Sequence, residues 1–410
     1  MLSSRQVDGA AGLSIPPGAL LKTFPGSRAP GPPDHADGWE LSGQRRDRKK
    51  LRVVNFLGFS GPAGIWGPAG VNGTLLAVAE INRRGGILGR EIEMIFRDAG
   101  TCLDDVVRVA SDIVAADDAD IIMGSHISAV RVALRRVVAG RIPYIYTPVY
   151  EGGEKTSGVM AIGETPGNLS RPAIEWMART KRASRWYLIG SDYVWPWLSH
   201  KATKKYIADS GGRVVGEEFV PMGEHDHSAH IARIRAASPD VVLISLIGTD
   251  SIVFNRAFAA HGLASKMLRL GGAMDETVLL GIGADNSENL FCASGYFVEM
   301  KTRENDLFRS SCEACYGRNA PPMGSIAQSN YEGLRFLETV ASRAGSLAIK
   351  PLLSAAASIE YEGARGKIGI RGGKARMPIY LAEADGLDFR LIAKFWRHND
   401  KVKPPRQNNT

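Results

Sequence analysis

The sequence predicts an α/β protein made of two doubly wound parallel-sheet lobes with a ligand cleft between them. Three observations carry this. Short apolar runs alternate with amphipathic stretches from Leu51 to Thr180, and the same alternation starts afresh at Arg185. The residues that follow the apolar runs are small, hydroxylated or aromatic, as befits the carboxyl ends of parallel strands, where ligands bind in such sheets. At 410 residues and 44% hydrophobic the chain has apolar material for two or three domain-sized units.

Residues 1 to 50 are rich in Gly, Pro, Ser and charge, with no periodic apolar pattern, and read as a disordered leader. The run Arg45-Arg46-Asp47-Arg48-Lys49-Lys50 supplies much of the net charge of +8, so the basic balance says little about the folded part and gives no reason to expect nucleic acid. The leader lacks the apolar core of a secretory signal, so the expected location is cytoplasmic as written and periplasmic if the start codon is misassigned. No apolar run is long enough to span a membrane.

From Leu51 the elements follow in order. Arg52 to Phe59 reads as a strand ending in Ser60-Gly61-Pro62-Ala63-Gly64-Ile65-Trp66-Gly67, and Val71 to Asn82 repeats apolar residues at helical spacing. Glu91 to Asp98 is a strand and Leu103 to Ala115 a helix. The apolar runs that begin at Ile121 and at Ile142 are strands joined by the amphipathic stretch Val130 to Ala139. The residues just past them, Ser125, His126 and Ser128 after the first and Tyr146, Thr147 and Tyr150 after the second, are the ones placed for a ligand. Met160 to Gly163 then leads to a helix from Leu169 to Thr180. The second series runs through strands at Arg185–Gly190, Arg213–Val220, Asp240–Leu246 and Asn289–Tyr296, with helices at Ala229–Ala237 and Ser251–His261. A long helix covers Ser325 to Ala344, and three late strands, Gly366–Arg371, Met377–Glu383 and Phe389–Trp396, close the molecule. The expected division is residues 51–167 with 297–345 for the first lobe and 168–296 with 346–396 for the second, followed by a tail from 397 to 410.

Several patterns point to chemistry and are outweighed. His225, His227 and His230 resemble a metal cluster, yet Asp226 and Ser228 sit where a strand gives way to a helix, so a loop and N-cap is the better reading. Cys312 and Cys315 have redox spacing without a second pair, inside a helical pattern. Gly61, Gly64 and Gly67 imitate a dinucleotide fingerprint at the wrong spacing, with Trp66 in the way of a pyrophosphate. Ser128 and His126 are two residues apart with no Gly-x-Ser-x-Gly elbow, and Glu151 with Glu154 read as solvated loop acids, so no enzyme, metal or cofactor is expected.

The stretches Gly73 to Asn82 with Gly85 to Arg90, Gly124 to Ser128, Tyr146 to Gly152, Gly190-Ser191-Asp192-Tyr193 and Gly363 to Lys367 carry a resemblance. From about Leu51 to Pro405 the chain resembles a type I periplasmic binding protein, of the branch holding the leucine/isoleucine/valine receptors, the urea and short-chain amide receptors and the amide sensor of the aliphatic amidase operon. The Tyr-Thr-Pro-Val-Tyr-Glu-Gly and Gly-Ser-Asp-Tyr-x-x-Pro pieces point to the amide and urea side. The resemblance implies a non-catalytic protein that closes on a small polar solute, either as the substrate-binding component of an ABC-type importer, with a permease as partner, or as a cytoplasmic amide sensor acting through a regulatory protein.

It also implies roles. Ser128 matches a serine that binds ligand through its hydroxyl and backbone N–H, Tyr146 an aromatic wall, and Tyr193 a tyrosine brought over the ligand by the second lobe; Trp195 stands where the amide sensor has another tyrosine. His126 departs from the tyrosine found there, and Thr147-Pro148-Val149 departs from the Pro-Thr-Pro order. Receptors for amino acids use a second-lobe acid for the ammonium group, for which Asp250 or Asp275 are the candidates. The expected ligand-binding set is Trp66, His126, Ser128, Tyr146, Thr147, Tyr150, Tyr193, Trp195, Thr249 and Asp275.

Overall fold

The structure is a computed structural model, which describes residues 47–318, 320–371 and 374–396. Most of the leader and all of the tail lie outside them. Apolar β-rich runs form the strands of the first sheet, β1 (Leu51–Leu57), β2 (Ile92–Asp98), β3 (Ile121–Ser125), β4 (Tyr144–Tyr146) and β5 (Val159–Ala161), buried on both faces except for the half-buried edge strand β2. They lie parallel in the order β2-β1-β3-β4-β5, with α1 (Gly67–Arg83), α2 (Leu103–Ala115) and α3 (Ser128–Val138) as crossovers. The first helix starts four residues before the apolar repeat, because Pro68 in its first turn needs no hydrogen-bond acceptor and the stretch Pro62–Trp66 already coils as a 3-10 turn.

The second sheet has the order β15-β14-β10-β9-β8-β6-β7. Its parallel part comprises β6 (Arg185–Ser191), β7 (Arg213–Val220), β8 (Val241–Ser245), β9 (Leu268–Gly271) and β10 (Leu290–Ser294). These alternate with α4 (Ser170–Thr180), α5 (Val194–Asp209), α6 (Ser228–Ala237), α7 (Gly248–Ala260) and α8 (Glu276–Ile282). Neither β9 nor α8 is visible as a pattern. Arg269 stands inside the four-residue β9, buried, donating to Asn255 Oδ1 and to the carbonyls of Asn286 and Glu288, so a charge interrupts the apolar run.

The chain then returns to the first lobe. Helix α9 (Arg303–Tyr316) and α10 (Ser325–Ala344) both pack on α1, and α11 (Ile349–Ala356) packs on α10. Strands β11 (Glu360–Gly363), β12 (Gly366–Arg371) and β13 (Lys374–Arg376) make a small antiparallel sheet beside α10, and only β14 (Ile379–Asp385) and β15 (Asp388–Phe395) join the second sheet. The segment after residue 346, expected whole in the second lobe, is therefore split. α11 offers an apolar face, and the exposed face it meets belongs to α10 rather than to a strand.

Three crossings connect the two sheets: residues 162–169, residues 295–302 and the pair before β14. One buried cation joins all three. Arg365 donates through Nη1 to Glu164 Oε1 and through Nε to Glu332 Oε2, at 2.7 Å each, and touches Met377 Sδ. Glu164 Oε1 also accepts the Gly295 N–H, and Tyr361 donates its hydroxyl to Glu332. A buried guanidinium with two carboxylates is strongly destabilised by loss of any partner, so this cluster holds the crossings in register.

Candidate functional site

The carboxyl ends of β3 and β4 face those of the second sheet across a narrow cleft. Its first-lobe wall is Leu57, Gly58, Ala63, Trp66, Ser125, His126, Ile127, Ser128, Tyr146, Pro148, Val149 and Ile326; the second lobe brings Tyr193, Trp195, Ile247 and Ala273. Six of the ten expected residues thus come together: Trp66, His126, Ser128, Tyr146, Tyr193 and Trp195.

Ser128 is the first residue of α3, and the cap position belongs to Ile127, whose extended backbone (φ −65°, ψ 153°) offers no side-chain cap. The serine hydroxyl is therefore not used as a helix cap. It is buried beside the Tyr146 phenol but forms no well-shaped hydrogen bond among the described residues, and the same is true of Ser125 Oγ. Ser128 stands at the start of α3, where backbone N–H groups have no intrahelical acceptor and the dipole favours negative charge, and Ser125 ends β3 just ahead of it.

The aromatic wall is held rigidly. Tyr146 donates its hydroxyl to the His126 carbonyl at 2.7 Å. His126 donates from Nδ1 to the Ile127 carbonyl (3.1 Å), which leaves Nε2 to accept from the Tyr144 hydroxyl (2.9 Å). Burial, with the nearby Arg131 cation, pushes the imidazole down to about 4, so it is neutral and presents its ring rather than a hydrogen bond. Burial likewise raises the Tyr146 and Tyr193 phenols well above their ordinary range.

Behind this wall Arg131 is buried between Glu151 and Glu154, with its guanidinium over the rings of Tyr146 and Tyr150 at 5.5 and 5.3 Å. The two glutamates, expected to be solvated, are thus buried and paired, because α3 delivers a cation to them from 20 and 23 residues away. Tyr150 supports Tyr146 edge-on and does not line the cleft. Thr147 is buried too, with its hydroxyl against Ser329 and the Gly124 carbonyl.

On the other side, Tyr193 holds the cap position of α5 in extended backbone, and Trp195 follows in the first turn with its ring centroid 6.3 Å from that of Tyr193. Thr249 is exposed on α7, outside the cleft lining. Asp250 accepts the Gly223 N–H and is likewise outside it. Asp275 caps α8 and accepts the Trp66 Nε1–H at 2.9 Å, so it fastens the first lobe to the second instead of facing the ligand space. No Asp, Glu, Lys or Arg occurs among the described residues lining the cleft. Ten of the sixteen lining residues, among them Ser125, Ile127, Ile247, Ala273 and Ile326, were not in the expected set. The signal for the first four was position just past a strand, which does not by itself say which face a side chain takes.

Outside the cleft, His230 pairs with Glu218 and His227 packs on Phe254, and among the described residues no group of three His, Cys, Asp or Glu side chains is arranged to hold a metal ion. No described helix is long and apolar enough to cross a membrane.

A family profile described as periplasmic binding protein matches residues 50–388. The chain is 23% identical over 293 residues to a Leu/Ile/Val-binding protein, BraC3, of Rhizobium johnstonii, covering 70% of this chain and 77% of that one. It is 22% identical to a leucine-specific-binding protein of Salmonella typhimurium, over 74% and 81% of the two chains. Among solved structures, an R. palustris ABC-transporter solute-binding protein in complex with 4-hydroxybenzoate superposes with a TM-score of 0.76 at 20% identity, covering 85% of this chain and 97% of that one. A leucine-binding protein of Thermotoga maritima gives 0.74 at 17% identity, over 84% and 99%. At these identities the structural likeness speaks for the fold.

Proposed function

The chain belongs to the periplasmic binding protein family, and we propose that its cleft closes on a small solute with a carboxamide or carboxylate head and a flat apolar body, for delivery to an ABC-type importer. The observation that carries this reading is the pairing of two buried serine hydroxyls without a well-shaped hydrogen bond among the described residues, Ser125 at the end of β3 and Ser128 at the start of α3, with a cleft otherwise walled by rings and aliphatic side chains. An acyl oxygen accepts from such hydroxyls and from free helix N–H groups, and an apolar body fills the remainder. The short-chain amides suggested by the sequence satisfy the head of the site; the breadth of the aromatic wall supports a larger body than urea.

An α-amino acid is a poorer match, because its ammonium group needs a carboxylate and the cleft lining holds none. Asp275, the nearest candidate, is taken by Trp66 and the start of α8. Receptors of similar fold whose names state benzoate, 4-hydroxybenzoate and leucine as ligands bracket these choices.

Thermal-shift measurements of the purified chain against butyramide, benzamide, benzoate, urea and leucine test the reading, since a ligand that binds only the folded state raises the melting temperature. Benzamide or benzoate should give the largest rise, butyramide a smaller one, and leucine little. A rise confined to leucine would overturn it.

A further inference from the structure

Behind Trp195 the second lobe holds another, small cavity of about 20 Å³, room for a group the size of a water molecule or a hydroxyl, at the carboxyl ends of β8, β9 and β10 and beneath α4 and α5. Val149 and Trp195 line both this cavity and the cleft, so the indole stands as the partition between them. Most of the inner wall is apolar, but Ser170, Ser199, Thr203 and Ser245 also line it.

The hydrogen-bonding states of Ser199 and Ser245 differ. Ser199 Oγ is buried and has no partner among the described residues; the same holds for the indole N–H of Trp195. Ser245 Oγ lies 3.1 Å from His200 Nε2. Glu217 Oε1 lies 3.3 Å from the other ring nitrogen, a charge contact rather than an aligned hydrogen bond. The ring N–H of His200 and the Lys204 ammonium hold that glutamate at about 2, so it is a carboxylate, and burial keeps the imidazole neutral. The negative charge favours the single ring proton on Nδ1. His200 Nε2 is then an acceptor, the Ser245 hydroxyl donates to it, and the Ser245 oxygen is left to accept.

We propose that this inner cavity is a distal subsite of the cleft, taking the far end of an elongated ligand that carries a hydroxyl group there, such as a hydroxylated aromatic acid or amide. A hydroxyl donates to the Ser245 oxygen and accepts from Ser199 or the indole, whereas an ether only accepts. The partition moves by rotation of one side chain, Trp195, in the first turn of α5. This assignment rests on the reading of the cleft given above.

Calorimetric titration of the full chain tests it with benzamide, benzoate, 4-hydroxybenzoate and the longer 4-hydroxycinnamate, together with the 4-methoxy ethers of the last two. At least one hydroxylated acid should bind about tenfold more tightly than benzoate and than its own methyl ether, the size of one buried hydrogen bond. Ser245→Ala or Ser199→Ala should abolish that advantage and leave benzoate affinity unchanged; two variants guard against one that fails to fold. Benzoate or benzamide binding with no preference for the hydroxyl, or a preference that survives in both variants, overturns the subsite alone. If none of these compounds binds, the reading of the cleft falls and the subsite with it.

Discussion

Ser128→Ala removes a hydroxyl from a buried position without disturbing a cap or any well-shaped hydrogen bond, since the structure uses it for neither. The variant should fold as stably as the parent and bind its solute more weakly by about 1–2 kcal/mol, about five- to thirtyfold in Kd. Titration calorimetry with the best ligand of the thermal-shift series reads the loss; an unchanged Kd would remove the start of α3 from the site. The serine was legible because it follows a strand and opens a helix. That its hydroxyl is not tied up as a cap was not, since the cap is decided by backbone angles at Ile127. His126 shows the converse: an imidazole beside the ligand space invites a polar role, and Tyr144, arriving on the neighbouring strand, takes up its second nitrogen.

At the scale of elements, the first lobe depends on two helices lying unusually close. A β-carbon placed on Gly73 of α1 would come within 2.4 Å of the Ala327 carbonyl of α10, a backbone atom that cannot turn aside. Gly73→Ala should therefore force the helices apart and destabilise the fold by about 1–3 kcal/mol, despite the better helix propensity of alanine. Urea unfolding measures the sign: a gain in stability would mean that the contact relaxes freely. α1 and α10 are both readable from their apolar spacing, but their mutual approach is set by residues some 250 positions apart. A separation of 275 residues likewise hides the polar contact of Asn55 with Asn330, which is buried beside Thr74.

For the whole molecule the junction between lobes carries an unusual charge arrangement. Asp275 and Glu276 are both buried, and one oxygen of each, Asp275 Oδ2 and Glu276 Oε2, lies without a partner among the described residues beside Gly324 of the first lobe. Burial, with the neighbouring Asp275 and Glu299 charges, pushes Glu276 up to about 8. Unfolded, it titrates near the ordinary 4.5, so between 4.5 and 8 the folded state holds the extra proton and stability falls as pH rises. His126 acts in the opposite sense. Its folded value of about 4 lies below 6.5, so between 6.5 and 4 the unfolded state binds more protons and stability falls as pH drops. The two slopes oppose one another from 4.5 to 6.5, and above 6.5 Glu276 acts alone. The melting temperature should decline from pH 6.5 to 8, and Glu276→Gln, which keeps an acceptor for the Val298 N–H, should flatten that decline. An equally steep decline in the variant would assign the effect to another group.

The two-lobed α/β architecture follows from the sequence itself, because the alternation of apolar strands and amphipathic helices is local information, and so is the fact that ligand contacts gather after strands. Ser128 and Tyr146 stand out on that basis, whereas Tyr193 stands out through the family resemblance. What the tertiary structure alone decided is how polar groups are distributed between site and scaffold. Arg131 neutralises Glu151 and Glu154, Trp66 claims Asp275, and Arg365 joins Glu164 to Glu332. Each is a buried pair formed across a large gap in the chain, and burial makes an unpaired charge so costly that whichever side chain is nearest in space determines which acids remain for a ligand.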